Sequence, residues 1–387
     1  MEKFKFKLLL IIVVFLLLFL MKFSMGIQNI EESNNNYDEV ISTDEVKNEL
    51  FSDYYDEAEK IMKEMTVENK ISQLFIIDYR TPLYGNNPSY IGGMILYGDF
   101  FSYNDVESAK EYVNTLQNQS KVKYAIAVDE EGGTVSRISS YKQFRSSIFL
   151  SPNKLYKKGG LDLLLETEDE KDKLILSMNI NLNLAPVADV STDSKDFMYD
   201  RTLGVNAEET ATYIAEVTKK AKDNGLATCL KHFPGYGNNE DTHTGVVTDT
   251  RDLSVFMNSD FKPFIAGIEA GTPFIMMSHN IMASVDSEYP SSLSKKVIRI
   301  LKEDLNYSGI IMSDDIAMYA LLSYNIDNSV ATLALEAGND MIMSSNYSAH
   351  YRELVNAYKE GIITEERINY SVRKIIAWKI AYGIIEI

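Results

Sequence analysis

LATCLKHFPGYGNNEDTHTG, residues 226–245, is the stretch on which the reading of this chain turns. Leu226 to Leu230 is an apolar run of the kind a buried strand needs. Pro234, Gly235, Gly237, Asn238 and Asn239 then break it into a loop. Into that loop go Lys231, two of the chain's four histidines (His232 and His243) and the triplet Asp241-Thr242-His243. A strand that opens into a polar, glycine-bearing loop is where a β/α barrel places its chemistry. Taken alone, the stretch also fits an ordinary strand-to-helix connection with a capping aspartate, so the surrounding chain has to decide.

Outward from that stretch, strand-like runs alternate with helical ones. The strand candidates are 74–78, 94–97, 124–128, 181–184, 227–231, 273–278, 309–313 and 340–343. Several are apolar throughout, not alternating, as parallel strands covered on both faces should be. Helical periodicity lies between most of them, as at 105–117, 207–223 and 293–304, and a last helix at 365–382 would close the structure. Eight such strands with intervening helices predict an α/β fold, a (β/α)8 TIM-type barrel forming a single domain over residues 55–387. Near its start, Ala58, Ile61, Met62 and Met65 share a helix face, and Thr66 with Asn69 reads as an N-cap.

Composition narrows the partners. A net charge of −18 argues against nucleic acid, because nothing would neutralise phosphates. The single cysteine, Cys229, excludes an internal disulfide and zinc-ribbon sites and reads as a small core residue. Residues 1–26 read as a targeting segment. Lys3, Lys5 and Lys7 precede an unbroken apolar run at 8–21, followed by Lys22 and a small-x-small site at Ser24-Met25-Gly26. This is a signal peptide or, uncleaved, an N-terminal membrane anchor through residues 8–21, and either implies export. Residues 27–54 are rich in Asn, Glu and Asp and read as a flexible linker.

The polar residues collect where a barrel would expose them. Asp129-Glu130-Glu131-Gly132-Gly133 follows one strand, and Pro186, Asp189 and Arg201 follow the next. Lys231, His232 and the Asp241/His243 loop come after that, then His279, then Asp314-Asp315. Only His350 lies elsewhere, on a helix that reads as surface. A carboxylate at a strand exit, as at Asp314, suits a nucleophile in glycosyl transfer, attacking a carbon with oxocarbenium character. It also suits a helix N-cap, and with two aspartates one could cap while the other reacts. Asp241, two residues from His243, could fix the imidazole's tautomer and let it serve as general acid and base. His232, His243, Asp241, His279 and Asp314 could instead ligate a metal, although no His-x-His pair follows an early strand.

Taken together, AVDEEGGTVSR at 127–137, NLAPVADV at 183–190, DRTLG at 200–204, KHFPGYG at 231–237, DTH at 241–243 and SDDIAM at 313–318 resemble glycoside hydrolase family 3, in its single-domain β-N-acetylhexosaminidase branch. The likeness runs from about Met65 to the end. It implies a retaining double displacement with Asp314 as nucleophile and the Asp241/His243 pair as acid/base. It further implies that Asp129, Arg137, Arg201, Lys231 and His232 bind the sugar, and that neither metal nor organic cofactor is needed. The substrate implied is a glycan carrying terminal N-acetylglucosamine, with peptidoglycan fragments the expectation once export is added. The chain departs from the commoner pattern in a loop one residue shorter between Gly237 and Asp241, and at Tyr236, Thr134 and Glu130. The family's β-glucosidases usually take their acid/base from a second domain, for which this chain shows no sequence. A β-glucosidase, a phosphorylase of the same family and a silent envelope sugar-binding protein are the other readings.

Overall fold

A computed structural model describes residues 49–82, 88–239, 245–324 and 329–387. The expected targeting segment, the expected linker up to residue 48, and Asp241 and His243 lie outside the described residues. Within them, eight parallel strands close into a barrel in chain order: β1 (Phe75–Asp78), β2 (Gly93–Ile95), β3 (Ala125–Val128), β4 (Leu182–Asn183), β5 (Ala227–Phe233), β6 (Phe274–Met277), β7 (Ile310–Ser313) and β8 (Met341–Ser344), with β8 pairing back onto β1. All eight fall on the apolar runs of the sequence. The runs are apolar because residues on both faces are buried: β3, β5, β6, β7 and β8 contain no position open to solvent. Cys229 lies buried in β5, as a core residue should.

Helices form the outer layer, and their starts follow local chemistry. Thr66 accepts from the Asn69 amide, Asp105 forms a reciprocal capping box with Ser108, and Asn206 accepts from Glu209. One expected helix is broken up. Between β6 and β7 the chain makes a 3-10 turn at Ser291–Leu293, a short helix at Lys295–Arg299 and a π turn at Ile300–Asp304.

The C-terminal helix, Glu365–Ala381, lies across the end of the barrel where the strands begin. Trp378 meets Phe274 at the start of β6 edge-on at 4.6 Å. Beside it, packing begins before residue 55. Phe51 and Tyr55 are buried, Glu49 accepts from the hydroxyls of Tyr55 and Tyr370, and the Leu50 amide donates to Ser308 just ahead of β7. This end is sealed. The opposite end, where the strands run out into loops, is where the polar residues gather. No helix among the described residues is long and apolar enough to cross a membrane.

Candidate active site

The sequence Asp129-Glu130-Glu131 at the exit of β3 divides three tasks among three carboxylates. Glu130 is fully buried and folds the turn: it accepts the amides of Arg137 (2.7 Å), Ile138 (2.6 Å) and Ser139 (3.3 Å) and the Ser139 hydroxyl. That grip closes a small hairpin, Glu130–Gly132 against Val135–Ser136, and fixes where Arg137 leaves it. Gly132 and Gly133 turn it with φ of 98° and 67°, which side-chain-bearing residues rarely adopt. Glu131, the second carboxylate, lies between two cations. Arg201 binds it through two parallel bonds of 2.9 and 2.7 Å, and Lys231 Nζ lies 2.7 Å from it. Burial alone would push the Glu131 carboxyl up. Lys231 and Arg201 outweigh burial and hold it down at about 2. Asp129, the third, meets Lys231 Nζ at 2.7 Å with one oxygen and keeps 16% of its side chain open.

Lys231 therefore spans Asp129 and Glu131, and through Glu131 it is tied to Arg201 from the β4 side. Its burial pushes the ammonium toward neutrality, but the two carboxylates win and shift it upward, so it stays charged. Next in sequence, across a cis peptide, His232 turns to Asp189, with Nδ1 2.8 Å from the carboxylate. A carboxylate only accepts, so Nδ1 carries the proton, and in the neutral ring Nε2 is left as an acceptor. Asp189 also takes the amides of His232 and Tyr236 at 3.1 and 2.8 Å, pinning the start of the following loop. The far side of that loop is pinned by Arg251, which grips Asp249 and Asp260, and by Asn239, which bonds Asp249. Gly237 lies so close to Arg251 that a Cβ there would collide with the guanidinium. Asp241 and His243 fall between these anchors, outside the described residues.

At the exit of β7 the two aspartates separate. Asp315 Oδ1 accepts the amides of Ala317 and Ser345, both at 3.0 Å, and so shapes the turn. Asp314 donates its amide to Met277 of β6 and accepts the Asp315 amide at 2.8 Å. Asp315 thus fills the capping role, ahead of a 3-10 turn at Tyr319–Tyr324 where a regular helix was expected. His279 supports this turn: Nε2 donates to the Asp315 carbonyl (3.1 Å), and Nδ1 accepts from Ser292 (2.7 Å). His350 is not at the surface. It is buried, with Nδ1 2.7 Å from the Ser344 hydroxyl at the end of β8.

Asp129 and Asp314 directly follow the ends of the parallel strands β3 and β7, which places both at the same end of the barrel. Three sequence-derived residues meet there by contact or through one shared carboxylate, Asp129 and Lys231 directly and Arg201 through Glu131, while Arg137 and His232 are each fixed by a carboxylate of their own, Glu130 and Asp189. Of the residues of the metal reading, His279 has both nitrogens, and His232 its Nδ1, on protein partners. Among the described residues no group of three or more His, Cys, Asp or Glu is disposed to hold an ion. Missing from the sequence reading were Glu130, Glu131, Asp189 and His279 as supports. A separate cavity of about 650 Å³ lies outside the strand ends, between Ser191, Asn206, Arg251 and Lys262. The arrangement offers fixed cations and carboxylates to hold hydroxyls, with the Asp314 carboxylate at the exit of β7, two strands on from β5.

Residues 66–378 match the profile of the family described as Glycosyl hydrolase family 3 N terminal domain. Two curated relatives are named "Beta-hexosaminidase". The one from Hydrogenovibrio crunogenus is 28% identical over 66% of this chain and 72% of its own length, and the one from Xanthomonas oryzae pv. oryzae is 30% identical over 56% and 66%. A solved family 3 beta-N-acetylglucosaminidase from a Paenibacillus species is 26% identical, with a TM-score of 0.75 over 83% of this chain. The chain spans 63% of that structure's length. M tuberculosis LpqI shares the fold at 22% identity and a TM-score of 0.72, over 82% of this chain and 95% of its own.

Proposed function

We propose, from the premise that the chain belongs to glycosyl hydrolase family 3, that it is a retaining β-N-acetylhexosaminidase acting on terminal β-linked N-acetylglucosamine. The observation that carries the reading is the cluster of Asp129, Lys231, Glu131 and Arg201 at the same barrel end as Asp314. The curated relatives' names favour the N-acetylglucosaminide over other glycosides.

The reaction follows from the residues. Asp129, Arg137, Arg201, Lys231 and His232 hold the hydroxyls of the terminal sugar. Asp314 Oδ attacks C1, the C1–O bond to the leaving group breaks, and the leaving oxygen takes a proton from His243. A glycosyl ester on Asp314 results. Water then attacks C1, gives its proton to His243 and releases Asp314 as carboxylate. Asp241 holds the His243 tautomer and stabilises its charged form. A histidine titrates near neutrality unaided, so no carboxyl needs a raised pKa to donate the proton. The export segment supports a place outside the cytoplasmic membrane, with fragments of peptidoglycan as the natural glycan.

The test is turnover of 4-nitrophenyl β-glycosides of N-acetylglucosamine and glucose by protein lacking residues 1–26, with and without phosphate. Faster cleavage of the N-acetyl substrate to free sugar, indifferent to phosphate, is expected. A preference for glucose would overturn the branch, and a sugar phosphate as product would make the enzyme a phosphorylase. The His243→Ala variant should keep most activity on the nitrophenolate, which leaves without a proton, and lose it on a natural disaccharide. Finding the protein only in the cytosolic fraction would remove the extracytoplasmic role.

A further inference from the structure

Three residues on neighbouring strands lie in one layer at the open end of the barrel. Asp78 pairs with Ile95, and Ile95 pairs with Ala127. The ladder continues beyond the regular strands through Tyr79 N to Ile95 O (3.2 Å) and Leu96 N to Ala127 O (2.8 Å). Two residues further along each strand, Arg80, Tyr97 and Asp129 therefore stand side by side. Side chains alternate along a strand, so in-register neighbours share a face. Asp129 turns inward to Lys231, and Tyr97 shares that side.

The surroundings of Tyr97 agree. The residue is half-buried. Its phenol is pushed up first by burial and then by Asp129, Asp315, Asp78 and Asp314, carboxylates that come from three different strand ends. The phenol therefore stays protonated throughout the working pH range. The Arg80 guanidinium lies 5.1 Å from the ring centroid. Arg80 is itself held by Asp78 through Nε at 2.9 and 3.1 Å and reaches Asp99 at 3.3 Å. Asp99 also takes the Tyr79 hydroxyl at 2.8 Å. Beyond Tyr97, a Cβ on Gly98 would lie 3.9 Å from Cδ of Arg137, so the arginine runs directly beside this segment.

We propose that Tyr97 is a further substrate-contacting residue that sets specificity, its phenol donating to the same sugar hydroxyl that Asp129 accepts from. A hydroxyl both accepts and donates, whereas a carboxylate only accepts. A sugar hydroxyl lodged between phenol and carboxylate takes a proton from one and gives its own to the other, which satisfies all three groups. A sugar lacking that hydroxyl leaves the phenol and the carboxylate facing each other's empty place, and such a site rejects it strongly. Arg80 is the positioning residue that holds the ring from the rim.

The inference rests on the glycosidase reading, and the test separates the two. Tyr97→Phe removes one oxygen and is compared with wild type on the 4-nitrophenyl β-N-acetylglucosaminide and its 3-, 4- and 6-deoxy analogues. About a tenfold fall in kcat/KM is expected on the parent, shrinking below about twofold on one deoxy analogue and persisting on the other two, with an unchanged melting temperature. No loss on the parent, or an equal loss on all four substrates, overturns the contact. If wild type cleaves the glucoside faster, only the branch reading fails, and the same cycle is run on deoxy-glucosides. If it cleaves neither, the glycosidase reading fails, and the cycle is read from calorimetric Kd values for N-acetylglucosamine and its deoxy forms against the same criteria.

Discussion

The two ends of this barrel use the same materials to opposite effect. At the sealed end, Asp340 takes Ser371 on one oxygen, and Lys374 and the Ile311 amide on the other, at 2.7, 2.8 and 3.1 Å. Lys374 adds the Gly309 carbonyl, and Lys379 reaches Gln73 and the Gly92 carbonyl. The side chains of Asp340 and Lys374 are withdrawn from water. At the open end, Lys231 and Glu131 are almost as buried, but Asp129 is partly open to solvent. The comparison teaches that a buried ion pair has no fixed meaning. Closed on itself, it anchors strands, and left with one open member it becomes a place to bind.

The sharpest break in that comparison is Asp314→Asn. It should lower kcat by about 10³ to 10⁵-fold on the aryl glycoside and leave the melting temperature within a few degrees, because the role belongs to the reaction and not to the fold. A full-rate Asp314→Asn enzyme would assign the nucleophile elsewhere. Asp340→Ala should do the reverse. It strands Lys374 as an unpaired buried charge and should cost about 3–5 kcal/mol by denaturant unfolding, while the protein that remains folded keeps its kcat.

Glu131→Gln tests the boundary between the two behaviours. A neutral amide cannot balance both Lys231 and Arg201, so kcat/KM should fall about 10- to 100-fold, with a smaller loss of stability. Equal losses of both kinds would make Glu131 a structural residue like Asp340.

The smallest effect is in pH. Burial lowers Lys379 from 10.5 to about 7, with no carboxylate to counter it. The native state then binds fewer protons than the unfolded chain between those values, so stability should rise with pH across that window. Lys379→Met should flatten that rise in urea titrations. Glu131 acts with the same sign in an acidic window. Held at about 2 against an ordinary 4.5, it stabilises the fold above pH 4.5, and the contribution is lost as pH falls toward 2.

How much of this was legible in the sequence follows the same division. The strands could be read because double-sided burial writes itself as unbroken apolar runs, as in Ile310–Ser313 and Phe274–Met277. The candidate site residues could be read because strand exits mark themselves with polar residues. What a carboxylate does there could not. Glu130 and Glu131 are adjacent and identical in type, yet one folds a hairpin seven to nine residues ahead and the other clamps cations 70 and 100 residues away. Only closure of the barrel, which brings β3 beside β4 and β5 next to that, decides between them. His350 was misread for a related reason. Polar residues surround it at Ser345, Asn346, Ser348, Arg352 and Glu353, and its partner Ser344 belongs to the preceding strand. The helix expected before β7 is present over 295–304, with its second half wound more widely as a π turn.

The entry of the chain at the sealed end has a consequence for orientation. Glu49 and Leu50 join the fold beside Ser308 and Tyr370, a full strand length from Asp129 and Asp314. Were the protein tethered to a surface by the residues that precede them, the tether would attach at the closed base and leave the mouth unobstructed by its own anchor.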